Sequence, residues 1–293
     1  MEIKDYPSLY IAAEKASRKA QNYYTRLTMI DLIFISTAAL SAIYNIDGKY
    51  GKTVIYCISG LSLAIGIFIT LIIKWRGYEN TWYKSRALAE SIKTLTWRFI
   101  TCAEGFESCK PYKEVIATFK DKILQLQSKF EDLSLTALTN SSTGFVTYKM
   151  STLRKENIND RKNHYLINRI SEQENWYKNK AVINQICYDR WFFIMIASKL
   201  LSLISIALLL TNPTMNWKLV GFFTTVSAAV LSWIQLKQYQ TLIRAYSTAA
   251  NELEAIRSLS ESIETDDDFS KFVLDAENAI SKEHTLWLVQ RRR

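Results

Sequence analysis

WFFIMIASKLLSLISIALLL, residues 191–210, decides the fold class: in twenty residues it holds one charge, Lys199, and three serines. A hydrocarbon core about 30 Å thick is crossed by about 20 residues of helix rising about 1.5 Å each, so this run has the length of a membrane span. A helix that is apolar all round can also sit at the centre of a large globular protein, and the rest of the chain has to choose between the two. Three similar runs do so: LTMIDLIFISTAALSAIYNI (Leu27–Ile46), TVIYCISGLSLAIGIFITLII (Thr53–Ile73) and KLVGFFTTVSAAVLSWIQL (Lys218–Leu236). With the opening stretch they make two pairs, each joined by a short loop. The expected architecture is all-α: an integral membrane protein with four transmembrane helices in two pairs, plus a cytosolic helical bundle.

Average composition hides this, because 22% charged residues and a mean hydropathy of -0.05 describe membrane and aqueous segments that cancel. The first run starts behind a charged, tyrosine-rich stretch and fits a cleavable signal peptide poorly, so it is read as a retained span. Orientation follows from Lys and Arg beside the span ends. Lys15, Arg18, Lys19 and Arg26 precede the first run, and Lys74, Arg76, Lys84 and Arg86 follow the second. Lys178, Lys180 and Arg190 lead into the third, and Lys237 and Arg244 leave the fourth; the loop 211–217 carries no charge. Both termini and the long middle segment are therefore expected in the cytoplasm. A basic collar facing lipid headgroups accounts for most of the net charge of +9, and direct nucleic-acid binding is not expected. Arg291, Arg292 and Arg293 add three charges at a chain end, which is weak evidence for any partner.

Motifs that carry chemistry are missing. There is no G-x-x-x-x-G-K-[ST], G-x-G-x-x-G, H-E-x-x-H or G-x-S-x-G, so no enzyme is expected. Cys57, Cys102, Cys109 and Cys187 form no CxxC and stand apart from both histidines, so neither a metal, a cofactor nor a disulfide is expected. His284, beside Glu283, could titrate near neutral pH, but packing within a helix is the simpler role. ETDDDF, residues 264–269, could hold a cation. It also stands ahead of Phe269, Phe272, Val273, Ala276 and Ile280 at helical spacing, where Thr265 or an Asp would cap a helix. Glu172, Glu174, Trp176, Tyr177 and Lys178 could form a partner surface or the packing face of a helix, and no nucleotide or other ligand site can be placed.

A shift of 162 residues carries Met29 onto Trp191, Trp75 onto Lys237 and Glu90 onto Glu252, laying pair on pair with parallel topology. Only three prolines and eight glycines serve 293 residues, so the polar segments should be helical. Trp82, Ala89, Ile92 and Phe99 give an apolar stripe on a helix continuing from the second span. Lys110–Leu133 is a second amphipathic candidate, Thr139–Phe145 reads as a linker, and a helix should resume near Met150 and run to the third span.

Three of these stretches carry a resemblance. RALAESIKTLTWRF (Arg86–Phe99), RISEQENWYKNKA (Arg169–Ala181) and DDFSKFVLDAENAISKEHTLW (Asp267–Trp287) resemble signatures of the SLATT family, SMODS- and SLOG-associating two-transmembrane effector domains. The first is similar to one subtype and the other two to another, and tandem members resemble the chain over almost its full length. The resemblance implies a first two-span unit over 1–110, a connector over 111–165 and a second unit over 166–293. It further implies an inner-membrane effector of an anti-phage conflict system, oligomeric and pore-forming, answering a nucleotide second messenger or a nucleotide-sensing partner protein. A housekeeping ion channel or transporter, or a membrane-anchored scaffold, is the alternative.

Within the apolar runs the polar residues say most. Ser198, Ser202 and Ser205 share one helix face with Lys199 at its margin. Gly221, Thr225, Ala228 and Ser232 make a comparable stripe, and Ser62, Gly66 and Thr70 repeat at small-xxx-small spacing. Close helix contact in lipid and the lining of a water path both fit these patterns. A lysine near a span centre costs about 2.5–3.5 kcal/mol on insertion scales, so Lys199 should find a wet cavity, a counter-charge or a route to the headgroups. Asp31, the only acidic residue in any of the four runs, is the expected partner, within or between subunits.

Overall fold

The computed structural model describes residues 1–43, 49–133, 144–214 and 219–290; the side chains of Lys49, Ser262 and 282–290, His284 included, lie outside that description. Among the described residues there are no strands and ten α-helices: α1 (Ser8–Ser41), α2 (Lys49–Arg76), α3 (Tyr78–Ile100), α4 (Tyr112–Ser128), α5 (Tyr148–Arg154), α6 (Ile158–Tyr165), α7 (Glu172–Thr211), α8 (Val220–Lys237), α9 (Tyr239–Ser258) and α10 (Asp266–Gln290). The stretches Tyr50–Ile100, Ile158–Thr211 and Val220–Glu261 each contain a window long and apolar enough to cross a membrane, by length and composition. The Leu27–Ile46 run is not among them. It enters α1 behind Arg26, carries Asp31, and its end from Tyr44 lies outside the described residues.

The chain divides into two compact units that do not follow its order: 1–21, 79–181 and 244–293 form one, and 22–78 with 182–243 form the other. The second unit holds the apolar runs. Ser41 and Ser59 hydroxyls meet at 2.6 Å, and Tyr23 stacks at 5.4 Å on Tyr78, the first residue of α3 just beyond the end of α2, which sets α1 and α2 antiparallel. Ser202 Oγ donates to the Val220 carbonyl at 3.5 Å and Trp191 packs on Trp233 at 6.1 Å, setting α7 and α8 the same way. A shift of 162 takes the first pair, Ser41–Ser59, to 203–221, one residue from the observed 202–220. Both hairpins also end alike. Gly77 and Gln238 take left-handed backbone at φ 57 and 51, breaking α2 from α3 and α8 from α9. Glycine adopts that conformation freely, while a glutamine does so at some strain. The exit helix thus starts with a kink rather than continuing the span.

The first unit has a core of Leu9, Leu88, Ile92, Phe99, Phe106, Val115, Phe119, Ile123, Met150 and Leu153, all nearly inaccessible. Trp82, Ala89, Ile92 and Phe99, the stripe read from sequence, are buried, as are Phe269, Phe272, Val273, Ala276 and Ile280 of α10. No single helix runs from Met150 to the third apolar run. α5 stops at Arg154, whose guanidinium donates to the carbonyls of Phe99 at 2.6 Å and Phe106 at 2.7 Å. Asn157 then caps α6 by accepting from the Asp160 amide at 3.0 Å. Arg161 closes the same region by donating to the Thr101 carbonyl at 2.8 Å and to Asp266 at 2.9 Å. Carbonyls left open at the end of α3 are thus met by two buried arginines, a favourable place for positive charge.

Candidate functional site

Within the α1–α2 hairpin the acidic residue has a built environment. The Asp31 carboxylate engages Thr70 by a side-chain hydrogen bond. A Cβ placed on Gly66 would stand 3.0 Å from Asp31 Oδ1, so the glycine leaves the room that the carboxylate occupies. Ser62 is 5% exposed and Ile55 and Ile69 are 7% exposed along the same side of α2. Ser62 and Gly66 therefore mark the side of α2 turned to α1, with Thr70 at its exposed margin reaching Asp31.

On α7 the serines and the lysine part company. Ser198, Ser202 and Ser205 are buried with Met195, while Lys199 stands exposed beside Leu200 and Leu203. Ser198 and Ser205 donate to the carbonyls of Ile194 and Leu201 on their own helix. Among the described residues Asp31 and Lys199 form no ion pair with each other, and Asp31 holds Thr70 instead. On α8 the buried side carries Ser227, Val230 and Trp233. Gly221, Ala228 and Ser232 are exposed, Thr225 is half-buried, and nothing lies within 4 Å of a Cβ on Gly221. That stripe makes its hydrogen bonds back to its own helix, Thr225 to the Gly221 carbonyl at 2.8 Å and Ser232 to the Ala228 carbonyl at 3.0 Å. Around these positions the surface is apolar: Leu61, Ile67 and Phe68 are each 64% exposed, and Phe193 is 73% exposed. Water does not tolerate apolar surface of that extent on a folded chain, and lipid does.

A second polar cluster, in the other unit, was not singled out from sequence. Glu277 of α10 is 1% exposed and accepts four hydrogen bonds: from Arg169 Nε and Nη2 at 2.8 and 2.7 Å, from Tyr165 at 3.0 Å and from Thr94 at 2.7 Å. Arg169 is equally buried, so the pair is desolvated on both sides. Burial works against the Arg169 charge, and Glu277 outweighs it and holds the guanidinium protonated. Trp97 covers Tyr165 edge-on and donates to Tyr6 at 3.1 Å. Burial pushes the Tyr6 phenol up to about 12, and Lys93, beside Arg169, falls below its usual range through burial and that neighbour. The sequence held a signal for this. Glu277 lies four residues after Val273 and three before Ile280, a charge set into an apolar stripe.

Nearby, Thr265 caps α10. It donates to Asp268 at 2.6 Å and accepts from the Asp268 amide at 3.2 Å, so ETDDDF is a helix start. Glu174 gathers Lys178 at 2.8 Å and Arg257 at 3.4 Å, while Trp176 and Tyr177 pack on Tyr246. The Glu172–Lys178 stretch is thus largely a packing face.

Two family profiles match the chain in tandem: SMODS and SLOG-associating 2TM effector domain 3 over residues 7–162, and SMODS and SLOG-associating 2TM effector domain 1 over residues 165–287. No curated protein and no solved structure matches it. The junction at 162–165 falls at the end of α6, so Thr94 and Trp97 come from the first match and Tyr165, Arg169 and Glu277 from the second. With paired apolar hairpins in both halves and matches over nearly its whole length, the chain belongs to the SLATT family of two-transmembrane effector domains, of which it carries two in tandem.

Proposed function

We propose that the chain is a membrane effector of a bacterial anti-phage conflict system, which assembles with copies of itself and permeabilises the inner membrane when a nucleotide signal or a partner protein activates it. Its four apolar runs span the bilayer, with both termini in the cytoplasm. The observation that carries this reading is the division of α7: a buried serine stripe on one side and an exposed lysine among lipid-facing residues on the other. A charge at that depth in hydrocarbon is costly unless it faces water or a partner, and packing between copies supplies a wet face. One bundle of four helices fills its own centre, so a conducting path has to lie between subunits. Lys199 is then part of the path wall, and the exposed Gly221, Ala228 and Ser232 stripe is where a neighbouring helix comes close. The reading assigns no catalytic step.

Expression in a bacterium challenged with phage, to supply the activating signal, followed with a membrane-potential dye, tests it. Depolarisation and growth arrest are expected. Cells that keep their potential with the chain inserted would overturn the proposal, and selective solute uptake without depolarisation would point to a transporter.

A further inference from the structure

Between α6 and α7 the backbone makes a π-turn, Leu166–Ser171, and the buried Arg169 belongs to it. A π-turn accommodates an extra residue relative to α-helix, is rare, and is frequently found at functional sites. Here one side chain of the turn is gripped by Glu277 of α10, with Thr94 of α3 and Tyr165 completing the clasp. A buried ion pair is no more stabilising than a well-packed apolar substitute, and its best-attested use is to fix one arrangement among several. The arrangement fixed here is that of the π-turn against α3 and α10.

We infer that the Arg169–Glu277 clasp is a resting-state latch, and that its release lets the π-turn relax into α-helix and turns α7 by one residue. This rests on the effector reading above and supplies its regulation. One residue corresponds to about 100° of rotation and about 1.5 Å of rise. With α6 held in place, relaxation moves each residue of α7 on to the place of its successor. Ser198, Ser202 and Ser205 arrive where Lys199, Leu203 and Ile206 now stand, on the exposed side of the helix. Ala197, Leu201 and Ile204 take over the side turned to α8. Release thus exposes a hydroxyl stripe with Lys199 at its margin, which is what a water path between copies needs and a lipid-facing surface does not.

Deleting Ile167, a residue of the turn that is 66% exposed, removes the extra residue and should lock α7 in its resting phase without the clasp. The phase can be read by cross-linking inside one hairpin. In full-length protein with its native cysteines replaced, cysteines at 202 and 220 should bridge with a short bifunctional thiol reagent, because Ser202 touches Val220. In Glu277→Gln the 202–220 bridge should be lost and a 201–220 bridge gained, and deleting Ile167 in that background should restore 202–220. Thr94→Val, which removes one donor and keeps the ion pair, should shift the balance the same way even if Glu277→Gln fails to fold. A folded Glu277→Gln or Thr94→Val protein that keeps the wild-type bridge would overturn the latch. A switched bridge without leakage from phosphatidylethanolamine–phosphatidylglycerol vesicles would uphold it and count against the pore reading alone.

Discussion

Glu277 takes donors from three residues on two separate segments, and that makes it the residue whose neighbours are hardest to replace. Removing one partner of a desolvated pair leaves an uncompensated charge, which costs about 3–5 kcal/mol. Glu277→Leu should therefore destabilise the first unit by about that amount in denaturant unfolding, and the double change Arg169→Met with Glu277→Leu should recover most of it. The phenols around this pair set a second expectation. Tyr6 is raised to about 12, and Tyr10 and Tyr165 are raised as well, mainly through burial. A phenol kept neutral in the fold and free to ionise near pH 10 when unfolded gives stability that is whole below about pH 10 and falls as pH climbs toward 12. Alkaline unfolding should set in across that window, and Tyr6→Phe should flatten it. The Asp31 site was half visible in sequence. The lone acid stood out; within the chain it holds Thr70 across the hairpin because Gly66 makes the space, and no one-dimensional spacing shows that meeting.

At the scale of elements, periodicity was legible wherever a helix buries one stripe. The Trp82–Phe99 and Phe269–Ile280 stripes and the amphipathic α4 all follow from 3.6-residue spacing. The breaks were not. Gln238 and the π-turn interrupt helices without a local stop residue, Gly77 supplies a left-handed stop of its own, and the Asn157 cap follows a segment whose end is tied by Arg154 and Arg161 to the end of α3. The α10 cap is local enough to have been read in advance as Thr265 or an Asp. Thr265→Ala should cost about 1 kcal/mol and speed amide exchange over the first turn of α10, leaving α4 unchanged. Equal acceleration throughout the unit would mean that the cap supports the whole core.

For the whole molecule, family and membrane character could be read from the four runs and the three motifs, while the division into units could not. Each half of the chain contributes to both units, because α1 and α7 leave polar segments and enter apolar ones without a turn that sequence would mark. Lys and Arg beside the runs support the proposal that both termini lie inside. Cysteines introduced at Asn45 or Asn216 should accordingly react with an impermeant reagent added outside the cell, and a cysteine at Thr143 should not. The central claim is that activated chains open a path beside Lys199. Ion selectivity of the purified full-length protein in phosphatidylethanolamine–phosphatidylglycerol bilayers tests it most directly. A fixed cation in the wall favours anions. The account predicts an anion-preferring conductance that Lys199→Leu abolishes or reverses while insertion and assembly stay normal; the same conductance and preference in well-inserted Lys199→Leu protein would contradict it.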